Sequence, residues 1–112
     1  MNEKLKKIYD LLYSPILTPY NLLENAKLSN YSYVNYYKNN TGLIAEMKCI
    51  MEENSKEMIF YYHFDKNDFL SKIYQEDMVY HNKILIYDRA EEIISEKENL
   101  LNNEATKKLQ TA

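Results

Sequence analysis

The stretch TPYNLLENAKLSNYSYVNYYKNNTGLIAEMKCIMEENSKEMIFYYHF, running from Thr18 to Phe64, decides how this chain is read. Its order is a helix, a tight turn, a second helix and a two-stranded hairpin. Thr18 is placed to cap a helix with Pro19 at its first position and Leu22, Leu23 and Ala26 on the buried side. Leu28-Ser29-Asn30 breaks that helix. Ser29 or Asn30 then caps a second one running to about Lys38, with Tyr33, Tyr36 and Tyr37 turned inward. Asn39-Asn40-Thr41-Gly42 is a stop signal and holds the chain's one glycine. Beyond it Leu43, Ala45, Met47, Cys49 and Met51 share one face, with Glu46, Lys48 and Glu52 on the other. After the polar turn Glu53-Asn54-Ser55-Lys56, Met58, Phe60, Tyr62 and Phe64 alternate again. Two period-2 strands joined by a polar turn predict a hairpin.

Outward from this stretch the spacing is read as helical. Leu5, Ile8, Leu11 and Leu12 line one side of a helix over residues 2–12, which Ser14-Pro15 ends. Asn67 or Asp68 caps a helical segment carrying Phe69, Leu70, Ile73 and Tyr74. From about Met78 to Leu101, Val79, Ile86, Ala90, Ile93 and Leu100 recur at three-, four- and seven-residue steps. Ile84-Leu85-Ile86-Tyr87 is open to the alternative reading of a third short strand. The organisation expected is a first domain over 1–76, a dimerisation helix over 77–104 and a polar tail over 105–112.

Composition sets the bounds. A chain of 112 residues, 46% hydrophobic and 28% charged, is long enough for one modest core and is not of disordered composition. Twelve tyrosines against one glycine reflect AT-rich codon usage and carry no mechanism. No apolar run approaches the length of a membrane span, and the start lacks a signal-peptide core, so no membrane association is expected. The single cysteine, Cys49, builds no internal disulfide framework and suits a reducing, cytoplasmic setting.

The residues from Leu17 to Ser29, with apolar positions before a Leu-Ser turn, resemble the first half of winged helix-turn-helix regulators of the MarR and PadR-like superfamily. Gly42-Leu43-Ile44 is similar to their entry into the wing, and Phe60-Tyr61-Tyr62-His63-Phe64 to the closing wing strand. Small plasmid partition and replication adaptors share that skeleton. The resemblance implies an α+β, mainly helical fold, with a two-stranded wing and a long C-terminal helix. It also implies binding to double-stranded DNA through the second helix, in a transcriptional regulator or a plasmid or phage adaptor reading a palindromic site. The residues it points to are Asn30, Tyr31, Ser32, Asn35 and Lys38 on that helix, flanked by Lys27, Asn39 and Asn40. Asparagine pairs bidentately with adenine, and lysine holds phosphate.

Charge weighs on the other side. The formal net charge is −3, and Glu52, Glu53 and Glu57 surround the hairpin tip, where they repel phosphate. The second reading is therefore a small acidic protein-interaction module or inhibitor, of mobile-element or DNA-mimic type. No enzymatic function, cofactor or metal is expected. His63, His81 and Cys49 lack ligand spacing, and neither a nucleophile elbow nor a phosphate loop is present. Val79, Ile86, Ala90, Ile93 and Leu100 form a stripe that points to a homodimer.

Overall fold

The computed structural model describes residues 3–13 and 17–111, with the side chains of Lys4, Leu11 and residues 103–111 outside that description. The Ser14-Pro15 stop and Ala112 also lie outside it. Helix α1 (Glu3–Tyr13) is followed by a 3-10 helix (Pro19–Lys27) and five strands. The strands are β1 (Tyr31–Lys38), β2 (Gly42–Ile50), β3 (Glu57–Asp65), β4 (Leu70–Asp77) and β5 (Lys83–Asp88), and α2 (Arg89–Thr111) closes the described chain. The strands form one antiparallel sheet in the order β1-β2-β3-β4-β5, a meander in which each strand pairs with its chain neighbour.

This overturns the mainly helical winged fold. The expected second helix is β1, the segment after Asn67 enters β4, and the two expected wing strands are the centre of a larger sheet. The reason lies in the residues. Five of the eight residues of YSYVNYYK are tyrosine or valine, side chains that fit a pleated surface better than a helix. Its inward Tyr33, Tyr36 and Tyr37 spacing suits a helix only while no partner strand is considered. The alternation in β2 supplies that partner, with Val34 against Met47 and Tyr36 against Ala45. A bulge between Tyr31 and Tyr33 then sends those two side chains to opposite faces. The open choice over residues 84–87 resolves as strand, and the long helix begins only at Arg89.

Thr18 does begin a helix. The Asn21 side chain accepts hydrogen bonds from the Thr18 N–H (2.8 Å) and hydroxyl (3.0 Å), and Asn21 N–H returns to the Thr18 carbonyl (3.1 Å). Because that helix is 3-10, its period is three. Pro19 and Leu22 are buried and Asn25 half-buried, whereas Leu23 and Ala26, which an α-period would bury, are exposed. Leu22 thereby reaches the sheet and packs with Ala45, Met47 and Phe64, the centre of the core. Val34, Tyr36, Leu43, Phe60, Tyr62 and Leu70 surround it.

The turns are built without glycine. Asn39 Oδ1 accepts the Gly42 N–H (2.8 Å) and both donors of Thr41 at the β1–β2 turn. Asn54 accepts the Lys56 N–H (3.0 Å). Asp65 Oδ1 takes Asn67 N–H (2.9 Å) and Phe69 N–H (3.0 Å), and Asp77 Oδ1 takes Val79 N–H (2.6 Å) and Tyr80 N–H (3.2 Å). Asp88 caps α2 through Ala90 and Glu91. Gly42 serves close approach instead. It stands opposite Asp65, and a Cβ there would run into the Phe64 carbonyl oxygen and lie 2.8 Å from the Asp65 carbonyl carbon.

The two helices form an antiparallel pair. Ile8 is buried, Lys7 bonds Glu96 (2.9 Å) and pairs with Glu92 (3.7 Å), and Arg89 donates to the Leu12 carbonyl (3.2 Å). Arg89 also stacks over Phe69 at 4.5 Å. This pair meets the sheet only where α2 leaves β5, so the molecule is elongated. Its radius of gyration is 17.8 Å, against about 13 Å for a compact chain of this length. It exposes 8020 Å², against about 6,500 Å² for a compact monomer of this mass.

Two stability predictions follow from the turns. Gly42→Ala should cost about 1–3 kcal/mol in urea unfolding, because backbone rather than a flexible side chain must move. Asp65→Ala should cost a similar amount, about 1–3 kcal/mol, by orphaning two N–H groups. Asp65→Asn, which keeps the acceptor, should stay within about 0.5 kcal/mol of the native protein.

Candidate functional site

The 3-10 helix covers one face of the sheet, and the other carries a lattice of long polar and aromatic side chains in three cross-strand rows. The first runs Tyr37, Ile44, His63, Lys72. The second runs Asn35, Glu46, Tyr61, Tyr74, Leu85, and the third Tyr33, Lys48, Ile59, Glu76, Lys83. Side chains in one row lie about 5 Å apart, and diagonal neighbours remain within reach of a tyrosine.

Those diagonals are used. Glu46 stands opposite Asn35, and its two oxygens accept the hydroxyls of Tyr33 (2.8 Å) and Tyr37 (3.0 Å), one on each side. Burial, followed by these bonds to a carboxylate, pushes both phenols up to about 12. Tyr61 donates to Glu76 (3.4 Å), and the Lys83 ammonium sits 4.0 Å above the Tyr61 ring and 5.3 Å from that of Tyr74. Lys48 pairs with Glu57 at 3.7 Å. Ile44 and Ile59 are buried among these longer side chains.

His63 is the member with an unsatisfied polar atom. Its ring meets Tyr74 edge-on at 5.2 Å, and its Nε2 is buried without a hydrogen-bond partner. Burial first, and the Lys83 and Lys72 charges next, hold its imidazole below the ordinary value. Among the described residues, no group of three His, Cys, Asp or Glu side chains is placed to hold a metal. No helix of the described residues is long and apolar enough to cross a membrane.

The residues expected to read DNA do not converge. Tyr31 packs with the core on the covered face, while Asn35 lies on the open one. Asn30 donates to the Ile50 carbonyl (3.1 Å), and Asn39 ties the β1–β2 turn. Ser32, Lys38 and Asn40 are exposed along β1 and its turn, and Lys27 pairs with Glu24 at 3.5 Å on the 3-10 helix. With β1 in place of the helix, no helical edge presents them to a groove. The acidic residues are divided as well. Glu52 and Glu53 lie at one end of β3, and Asp65 and Asp68 at the other. Of the expected dimer stripe, Val79 lies in the β4–β5 turn, Ile86 in β5 and Ala90 at the start of α2. Ile93 and Leu100 are half-buried on α2, the helix that pairs with α1.

The tyrosine lattice was missed by the sequence reading. Its signal was the i, i+2 recurrence of Tyr33, Asn35 and Tyr37, which continues across Glu46 and Tyr61 only once the strands are in register. The chain matches no protein-family model, no curated protein and no solved structure.

The unfolded chain takes up a proton at His63 near the ordinary value of 6.5, before the folded imidazole does. Stability should therefore be level above about pH 7 and fall as the pH drops from there to the folded value. His63→Phe should flatten that slope in urea midpoints measured from pH 7.5 down to about 5.5. In a separate titration, Glu46→Gln should lower the Tyr33 and Tyr37 ionisations toward ordinary phenol values, read from tyrosinate absorbance.

Proposed function

We propose that this chain is a small protein-interaction module whose open sheet face receives a folded protein partner. One observation carries the reading. Tyr33, Tyr37, Tyr61 and Tyr74 are held side by side on the sheet face opposite the 3-10 helix. Tyrosines already fixed by carboxylates present large apolar area at little further entropy cost, as protein-binding surfaces require.

The charges favour a protein over a nucleic acid. Lys48, Lys72 and Lys83 are matched on this face by Glu46, Glu57 and Glu76, so it has no excess of cations for phosphates. Glu46 sits directly between the rings on which bases would stack. The low compactness of the isolated chain fits a component finished by its partner. The cytoplasm, where the Cys49 thiol stays reduced, is the setting we assign.

Capture from a native extract, followed by titration with the purified captured protein, tests this. Tyr61→Ala together with Tyr74→Ala should weaken that binding at least about 30-fold, the loss expected of a central aromatic anchor. Fluorescence anisotropy with single- and double-stranded oligonucleotides should show no binding at about 50 mM salt. Oligonucleotide binding that falls steeply with salt and is lost in the same variant would overturn the protein-partner reading.

A further inference from the structure

The core side of the sheet opens where the chain enters β1 and leaves β2. The 3-10 helix stops at Lys27, with the Asn25 amide donating to Met47 Sδ (3.6 Å). Beyond it the same face carries Tyr31 opposite Cys49, with Phe60 and Tyr62 on β3. These four line a cavity of about 310 Å³, completed by Asn30 and Met51, with the exposed Glu52 and Glu53 at its mouth. That volume is at the lower end for small-ligand pockets, about 300–1,000 Å³. Its walls are tied by backbone bonds. Ile50 N–H donates to the Asn30 carbonyl (2.8 Å), the Asn30 amide to the Ile50 carbonyl (3.1 Å) and Met51 N–H to the Lys56 carbonyl (2.9 Å).

The polar groups that face this cavity are unused by the protein. Tyr33, Tyr36, Tyr37 and Tyr61 donate their hydroxyls to protein acceptors. Among the described residues, the hydroxyls of Tyr31 and Tyr62 and the thiol of Cys49, itself 3% exposed, have no hydrogen-bond partner. Glu52 and Glu53 have no ion-pair partner among them either. Buried polar groups are ordinarily paired, so a cluster left open asks for an occupant. Burial first, then the nearby Cys49 and Tyr62, pushes the Tyr31 phenol up. Burial and then Cys49 do the same to Tyr62, and burial raises the Cys49 thiol. All three groups therefore stay neutral, and the two glutamates carry the charge of the cavity.

We propose that this cavity binds a primary alkylammonium group, with its nitrogen among the Tyr31 and Tyr62 oxygens and the Glu52 and Glu53 carboxylates and its carbon stem against Phe60 and Met51. A primary ammonium brings three N–H donors and no acceptor, and these oxygens accept. Aromatic rings attract a cation as well. The chain already holds one ammonium in that way, Lys83 at 4.0 Å above Tyr61. An anion is excluded by the two carboxylates and by the lack of any lysine or arginine in the lining. A purely apolar ligand would leave the phenols unpaired. Two carboxylates alone do not make a metal site, and no group of three potential ligands exists among the described residues. The cavity lies on the face opposite the tyrosine lattice, so amine binding and partner capture stand or fall separately.

Titration of the full chain with n-butylammonium chloride, at ionic strength held constant with sodium chloride, tests this by amide NMR. Saturable shifts should appear at Tyr31, Cys49, Phe60 and Tyr62, with a midpoint of about 1–10 mM for so small a ligand. Glu52→Gln combined with Glu53→Gln should raise that midpoint at least about 10-fold. Both positions are exposed, so amide signals elsewhere should not move. Tyr62→Phe, which keeps the ring and loses the oxygen, should raise it at least about 5-fold. n-Butanol lacks the charge and tetramethylammonium lacks the N–H groups, and each should bind at least about 5-fold more weakly than the amine. Nα-acetyl-lysine methylamide separates the two sources of this chemistry. Tighter binding than butylammonium supports the site as a receptor for a lysine side chain, and equal or weaker binding supports it as one for a free amine. No saturable shift up to about 100 mM amine would overturn the proposal. So would butanol binding as well as the amine, or a midpoint unmoved in the double glutamine variant.

Discussion

The structure depends on how a chain with one glycine reverses direction at the end of every strand. A meander needs a tight turn at each strand end, and tight turns need either positive φ or an alternative partner for turn N–H groups. Here Asn39, Asn54, Asp65 and Asp77 supply that partner from the side chain, and Asp88 does the same at the entry to α2. Positive φ still occurs, at Ser55, Asp68 and His81, in residues that pay a steric penalty there. Two of those three fall in turns whose first residue is an aspartate accepting two N–H groups, which offsets the strain locally. The Asp77 carboxyl is accordingly held below the usual carboxylate range by the Val79 and Tyr80 N–H groups.

With the turns set, the two faces of the sheet diverge. The 3-10 helix closes one by placing Leu22 over Ala45, Met47 and Phe64. The other face satisfies most of its polar groups through Glu46, Glu76 and Lys83, with His63 Nε2 the exception. On the proposed reading, these internal pairings leave little to be unmade before a partner binds. The β5 edge is the opposite case, with Ile84, Leu85 and Ile86 all exposed. The helical pair adds length rather than core, because it joins the sheet only where α2 begins.

Parts of this were legible from residues alone. The apolar spacing of Leu5, Ile8 and Leu12 marked α1, the Thr18-Pro19 start marked the next helix, and the alternation around Gly42 marked β2 and β3 with their turn. Helices were overassigned at β1 and β4, where tyrosine and isoleucine spacing fits a period of 3.6 about as well as one of 2. In YSYVNYYK the bulge removes even the strict alternation that would have identified a strand. The winged arrangement followed from those two errors, and the DNA-reading residues followed from the arrangement. Of the tyrosine lattice, Asn35 alone was singled out as a site residue, for a different surface. Glu46 at its centre appeared only as a polar residue on the outer face of an expected wing strand.

By itself, the sequence marked the breaks at 28–30, 39–42 and 53–56 and which residues are apolar, because turn chemistry and hydrophobicity act over a few residues; the turn between β4 and β5 it read as helix. It determined that no internal disulfide would be available, with one cysteine in the chain. Tertiary structure alone decided whether Tyr31 to Lys38 and Leu70 to Asp77 were helices or strands, since a strand is stable only against a partner in register. The same pairing decided that Glu46 would stand between Tyr33 and Tyr37, and that Ile84, Leu85 and Ile86 would lie on an uncovered edge. Those positions come from hydrogen bonds between segments, which no local pattern specifies.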